Sequence, residues 1–428
     1  MIQKKLKNIA NEFRDYDPNS LNIDIAKKII LKSIHPQRDY EEISLKNAFG
    51  RVLAEDIISP INVPRYDNSA MDGFSLCASQ IDLSKSNQLK IIETLKAGEQ
   101  ISTKIKFGEC IKIMTGAVIP NGCDSVVASE KVVINSNKTI IIPANTLNLG
   151  DNIKTKGEDL KVGLPALKKG KLLGPADIGL IASLGIEKIL ILKKIKVAYF
   201  STGNELISVG EELKKNTIYD SNRFSLHGLL SNQFYQPIDL GIIKDNPELI
   251  ETEIKTACKQ ADVLITTGGI SEGEADFVKE TLLKLGDILF WKILMKPGKP
   301  FAFGKLFFNG KEILFFALPG NPVAAIVSFQ VLVKESLKKR SGIITKINFN
   351  MKAISLKAIK KRKGRTEFLR GILKNNANGE CIVSPTESQG SGILKSLSES
   401  NCIIRLDEDQ ENINKGDNVN IIFFDNIV

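Results

Sequence analysis

At 428 residues, with 43% hydrophobic and 25% charged residues, the chain has ordinary globular composition and length for about two to four domains. No apolar run reaches the roughly 18 residues of a membrane span, and the charged start "MIQKKLKNIANEFRDYD" lacks an apolar signal core, so a soluble, cytoplasmic protein is expected. The formal charge of +10 is spread along the chain, with one basic run from Lys357 to Arg365; no basic stripe with interleaved aromatics marks a nucleic-acid binder.

Six cysteines are scattered without a CxxC pair, and the only histidines are His35 and His227. A zinc site, a disulfide framework and Ser-His-Asp or Cys-His catalysis are therefore not expected. Any chemistry falls to carboxylates, lysines, backbone amides and a hard metal ion.

In chain order, residues 1–60 read as mostly helical, with amphipathic spacing in "DIAKKIILKSI", and "EEISLKNAFGRVLAEDIIS" reads as a helix or strand with a break at Gly50. "PRYDNSAMDGF" (Pro64 to Phe74) fits neither helix nor strand and reads as a polar loop between Pro64 and Gly73. From about 61 to 145, short alternating apolar runs separated by Gly, Pro and Asn predict a β-rich insertion. "GPADIGLIASLG" predicts a helix with Pro175 in its first turn and Gly185 as its stop.

Residues 195–340 alternate strand and helix, the pattern of a mainly parallel, doubly wound sheet. Beyond Gly342 short strands return as a small terminal β domain.

Ligands of open α/β sheets lie beyond the carboxyl ends of the strands, and this chain places its unusual residues there. "STGNE" ends in Glu205, "KDNP" holds Asp245, "TTGGIS" holds Gly268, Gly269 and Ser271 ahead of Asp276, and "LPGNP" holds Pro319 and Pro322. Gly268 and Gly269 before a helix suit an anion, although a tight strand-to-helix turn needs them equally. Lys296 and Lys299 in "MKPGKP" flank a stiff turn that could present two cations to an oxyanion or phosphate, or could be a solvated turn. Three carboxylates without His or Cys partners suit magnesium. From the residues alone, the expectation is an α/β domain that binds a phosphorylated ligand with magnesium.

Eight motifs in register name a family. "DNSAMDGF", "IMTGAVIPNGCDSVV", "NIKTKGEDL", "FSTGNEL", "IYDSNR", "TTGGISEGEADFV", "MKPGKPFAFGKL" and "LPGNPVAA" resemble, in order and spacing, the molybdopterin molybdenumtransferases of molybdenum cofactor biosynthesis, relatives of the gephyrin E domain. The resemblance runs from about residue 20 to the C-terminus.

It implies an elongated multidomain fold of four parts: 1–60 with 145–190 as a discontinuous linking domain, 61–144 as a β-rich arm, 191–342 as the α/β molybdopterin-binding domain and 343–428 as a terminal β domain. It also implies a magnesium-dependent transferase that takes molybdate and adenylylated molybdopterin and releases AMP. The expected form is a homodimer with sites between subunits, supplied by a molybdopterin adenylyltransferase. Asp67, Thr115, Asp159, Glu205, Asp245 and Asp276 fall on positions the family uses in activity, with Glu205, Asp245 and Asp276 expected at the metal. Lys296, Lys299, Arg365 and Ser391 fall on molybdate-binding positions. Gly268, Gly269, Ser271, Lys292, Pro319 and Pro322 are expected around the pterin and its phosphate.

Ala324 stands where the family commonly has serine, which removes one hydroxyl from that pocket. A tungstate-inserting relative and a gephyrin-like scaffold are the competing readings.

Overall fold

Val197 to Thr202 is an unbroken buried run, as a strand covered on both faces requires. It belongs to the central sheet of a computed structural model that describes residues 5–99, 104–135, 137–269, 277–344 and 351–424. The strands of this sheet are β1 (Ile195–Thr202), β2 (Tyr235–Ile243), β3 (Val263–Thr267), β4 (Gly286–Lys292), β5 (Pro300–Phe308) and β6 (Lys311–Leu318), in the spatial order β2-β1-β3-β6-β5-β4. β2, β1, β3 and β6 are parallel, while β5 pairs antiparallel with both β6 and β4. The sheet is thus mixed, with its parallel part at the end that matters for the site.

Alternate side chains of β1 enter opposite cores. Val197 and Tyr199 pack with Leu226 and Leu230 of the helix Ser221–Leu230, and Ala198 and Phe200 pack with Ile250 and Ile254 of the helix Pro247–Gln260. Asn246 starts the latter helix, its side chain accepting from the amides of Glu248 (2.9 Å) and Leu249 (3.1 Å), with Pro247 in the first turn. The predicted helix at "GPADIGLIAS" is present as Pro175–Ser183.

The expected union of residues 1–60 with 145–190 divides. Helices Leu6–Ala10 and Ile23–Ser33 bury Leu6, Ile29 and Ile30 in the same core as Tyr199, Phe303 and Phe316 of the central sheet. Beyond Ile34 the segment that read as helix or strand takes the strand form, and Tyr40–Ser44 pairs antiparallel with Lys188–Leu192. Leu45, Ala48 and Leu53 share a separate small core with Leu167, Leu173, Ile181 and Ile191.

From that small unit the chain leaves and returns along paired segments: Ile57–Ile58 with Pro165–Leu167, Val63 with Leu160, and Asn68–Ser69 with Ile153–Lys154. At the end of this stalk lies a six-stranded mixed sheet built from residues 73–142.

The terminal β domain closes on itself. Thr366–Asn375, Cys381–Pro385, Met351–Ser355, Asn418–Phe423 and Cys402–Leu406 pair in that order, and Cys402–Leu406 pairs back onto Thr366–Asn375. The result is a small barrel. No described helix is long and apolar enough to cross a membrane.

If the N-terminal helices belong to the α/β core, Ile29→Ala costs about 2–4 kcal/mol in that domain. Amide exchange should then show protection lost in β1 and β3 but retained in the arm strand Glu109–Ile113.

Candidate active site

The chain passes from β1 to β2 on one side and crosses to β3 on the other, so a crevice opens where the connections diverge. A cavity of about 1250 Å³ lies there. The ends of β1, β3 and β6 line one wall, and the MKPGKP loop and two barrel loops line the rest.

Among the residues singled out from sequence, Glu205, Asp245, Gly268, Gly269, Lys296, Lys299, Pro319, Pro322, Arg365 and Ser391 all line this cavity. Ser271 and Asp276 lie outside the described residues. Lys292, the last residue of β4, does not line it; its amide donates to the Pro18 carbonyl at 2.8 Å.

Two glycines let the wall close. Gly268 has φ +86°, and a Cβ there would sit 2.5 Å from the Thr202 carbonyl oxygen; one on Gly269 would sit 2.4 Å from Val278 Cγ2. Only glycine satisfies both the left-handed backbone and this approach.

The Asp245 carboxylate ties two strand ends together, accepting from Thr202 Oγ1 (2.9 Å) and the Asn204 amide (3.2 Å). Glu205 is exposed, and its carboxylate makes no hydrogen bond or ion pair to the described residues. No cluster of three His, Cys, Asp or Glu ligands occurs among the described residues.

The cationic wall joins two domains. Met295–Lys296 pairs in parallel with Thr366–Glu367, which sets Lys296 opposite Glu367. The Glu367 carboxylate lies 4.0 Å from Lys296 Nζ and accepts from Arg365 Nε at 3.3 Å. The Lys296 and Arg365 side chains remain 52% and 48% exposed, whereas Glu367 is buried. Lys299 is exposed and has no side-chain partner among the described residues. The helix beginning at Pro322 has no side-chain cap; its Val323 amide donates to the Ser391 carbonyl at 3.1 Å.

Sequence reasoning missed Glu367, the second residue of the strand that begins at Thr366, two positions after Arg365. It also missed Asp220, a buried cavity residue that accepts from Ser201 Oγ (3.0 Å) and the Arg223 amide (3.2 Å) and pairs with Arg223 Nε (3.3 Å). The "YDSN" run carried its signal as a helix cap. A third omission is Arg370, which is buried and donates to Ser396 Oγ (3.2 Å) and to the Ser388 (3.3 Å) and Gly390 (3.1 Å) carbonyls, bracing the loop that carries Ser391.

Asp67, Thr115 and Asp159 form no part of this cavity in their own chain. Asp67 and Thr115 sit where the stalk meets the arm, and Asp159 lies within the stalk, its amide donating to the Val63 carbonyl at 3.0 Å. Asp67 Oδ1 accepts from the Lys156 amide at 2.6 Å, and its carbonyl accepts from the Ile119 amide at 2.9 Å. Thr115 donates through its amide and its hydroxyl to Asp72, each at 2.7 Å, and these bonds hold the Asp72 carboxyl below the usual range. Asp67, Thr115 and Asp159 are exposed.

No cysteine lines the cavity. Burial pushes the thiols of Cys110 and Cys402 up to about 12 and those of Cys123 and Cys258 up to about 11.

Three family models match consecutive segments: the MoeA N-terminal region (domain I and II) over residues 21–185, a "Probable molybdopterin binding domain" over 205–339, and the MoeA C-terminal region (domain IV) over 352–424. The molybdopterin molybdenumtransferase of Haemophilus influenzae is 40% identical over 409 residues, spanning 95% of this chain and 100% of that protein. That of Staphylococcus aureus (strain COL) is 30% identical over 407 residues, spanning 93% and 94%. The crystal structure of the molybdopterin biosynthesis MoeA protein from Pyrococcus horikoshii OT3 matches with a TM-score of 0.80 at 31% identity, covering 94% of this chain and 100% of that one.

A switch-point cleft walled by a small barrel, with a stalked β arm upstream, defines a multidomain MoeA-like protein. The chain belongs to the molybdopterin molybdenumtransferase family.

Gly268→Ala should lower the thermal midpoint more than Gly310→Ala, by the equivalent of about 1–3 kcal/mol. Gly310 shares the positive φ, at +78°, but has open space around it, so calorimetry on the pair isolates the close approach to Thr202.

Proposed function

We propose that this chain inserts molybdenum into adenylylated molybdopterin, taking up molybdate and releasing AMP. The observation that carries this reading is one cavity lined by Lys296, Lys299, Arg365 and Ser391 together with Glu205 and Asp245. Molybdate is a tetrahedral dianion, so ammonium, guanidinium and hydroxyl donors suit it. The cavity exceeds the roughly 300–1,000 Å³ of ordinary ligand pockets, which accords with a phosphorylated pterin nucleotide beside an oxyanion. Gly268 and Gly269, with Pro319 and Pro322 in the neighbouring loop, border the space for the pterin and its phosphates, and Ser271 follows them in sequence. In the reaction the substrate's dithiolene thiols would replace oxygens of molybdate, which leave as water with the thiol protons and protons from solvent, and a water molecule would break the P–O–P link, giving AMP and the pterin monophosphate.

Glu205 and Asp245 are hard oxygen donors, and Asp276 is a third candidate in sequence. Magnesium typically takes one or two carboxylates and completes its shell with water and substrate phosphate, so this donor set fits it. When bound, the ion would neutralise charge on the pyrophosphate. Asp245 is positioned by Thr202 and Asn204, leaving Glu205 as the carboxylate without a protein partner among the described residues.

The arm residues Asp67, Thr115 and Asp159 enter this scheme through a second copy. A C2 homodimer would set each arm against the partner's cavity and so create two identical sites. The reading also includes a cytoplasmic protein in transient contact with the adenylyltransferase that makes its substrate.

In a reconstitution with purified adenylylated molybdopterin and molybdate, Asp67→Ala should fold, dimerise and lose cofactor synthesis. Near wild-type activity would remove the arm from the site. Lys296→Gln should lower activity about 10²-fold, the cost of losing one donor to an oxyanion.

A further inference from the structure

Two of the cavity's cations, Lys296 and Arg365, already face a carboxylate. Lys296 and Arg365 are the half-exposed groups facing the cleft, and behind them sits Glu367, whose whole residue is only 5% exposed. Its two oxygens divide between them: Oε2 lies 4.0 Å from Lys296 Nζ, and Oε1 accepts from Arg365 Nε at 3.3 Å. Neither contact is tight. The ammonium sits at the outer limit of ion pairing, and the guanidinium donates through Nε alone and not as a two-point fork. A carboxylate placed so is a counter-charge that a better-fitting anion can replace.

We infer that Glu367 is an internal counter-anion from which an incoming oxyanion draws Lys296 and Arg365, so that Glu367 sets the affinity of the cavity for tetrahedral dianions. The inference rests on the functional reading above for the chemistry of the ligand.

Two further features support it. A buried carboxylate stripped of its partners is costly, yet the field of a second buried cation reaches Glu367: Lys361 is also 5% exposed, with its Nζ donating to the Gln410 (2.8 Å) and Arg362 (3.3 Å) carbonyls. Burial lowers the Lys361 pKa, and the field of Glu367 acts to raise it, so the two groups are electrostatically coupled. Glu367 is therefore not left alone in the interior when the cleft cations turn away. In addition, Glu367 is fixed by backbone pairing on both sides, opposite Lys296 and opposite Leu406, so it does not follow the cations into the cleft. The fixed charge stays close to the bound dianion and repels it.

Titration calorimetry of sodium molybdate and sodium tungstate alone, at constant ionic strength, into the full-length wild type, E367Q and K296Q tests this. E367Q keeps the shape and the acceptor toward Arg365 and removes the charge. It should bind both oxyanions about three- to tenfold tighter than wild type, an effect that a merely structural residue would not produce. K296Q should bind more weakly than wild type. Equal or weaker binding by E367Q overturns the counter-anion role, while weakening in K296Q keeps the oxyanion site. If K296Q matches wild type, or if wild type and E367Q bind neither oxyanion, the functional reading itself falls. Should E367Q not fold, crystals of wild type soaked in tungstate decide the matter. Lys296 and Arg365 should turn from Glu367 onto the oxyanion, and their remaining on Glu367 beside a bound tungstate would refute the inference.

Discussion

The cleft depends on a very short piece of β ladder. Met295–Lys296 and Thr366–Glu367 pair across the boundary between the α/β domain and the barrel, and the Thr366 amide reaches back to the Leu294 carbonyl at 2.9 Å. Each such bond contributes about 1 kcal/mol, so the ladder alone is too weak to hold two domains. Its importance is geometric: parallel pairing fixes register, and register decides which side chains stand opposite one another. Slipping it by one residue would send Lys296 and Glu367 to different faces. The shared core of the N-terminal helices, the central sheet and barrel residues such as Phe368 and Ile403 supplies the burial that keeps this register.

A second constraint governs the arm. Its chain leaves and returns through antiparallel pairs at residues 57–58, 63 and 68–69, so the arm is carried on a two-stranded stalk and not on a single linker. The stalk's own hydrogen bonds run through the DNSAMDG segment, where Ser69 donates its amide to the Ala117 carbonyl at 2.9 Å and accepts from the Gly116 amide at 2.8 Å. Two of the family-like motifs are thus knitted together at one end of the stalk, at a place separate from the cavity. On the homodimer reading proposed above, that separation would leave one chain with two half-sites, each on its own scaffold.

Much of the site was legible because strand ends are marked locally. Buried runs such as VAYFST and VLITT stop at glycines or polar residues, and Pro247 and Pro175 announce the helices that follow, so Glu205, Asp245, Gly268 and Pro319 could be placed at one sheet edge from spacing alone. What escaped were features fixed by distant partners. The segment around Tyr40–Ser44 read equally as helix or strand until residues 188–192 supplied its partner, and the barrel closes only because Cys402–Leu406 returns to Thr366–Asn375. Glu367 looked like one alternating strand residue among many, since nothing near it in sequence shows that Lys296 lies opposite. Ile23–Ser33 was recognised as amphipathic, but amphipathicity does not say which apolar surface a helix will cover.

The thiols carry a consequence for the metal. Molybdenum bound through an ene-dithiolate is thiophilic, and any cysteine thiolate at the cleft would compete with the substrate's sulfurs for it. Four of the six cysteines here hold their protons far above neutral pH because they are buried, and none of the six faces the cleft. On the reading proposed above, the described lining would offer the ion nitrogen, oxygen and the Met295 thioether but no thiolate, so thiolate sulfur would come from the pterin alone.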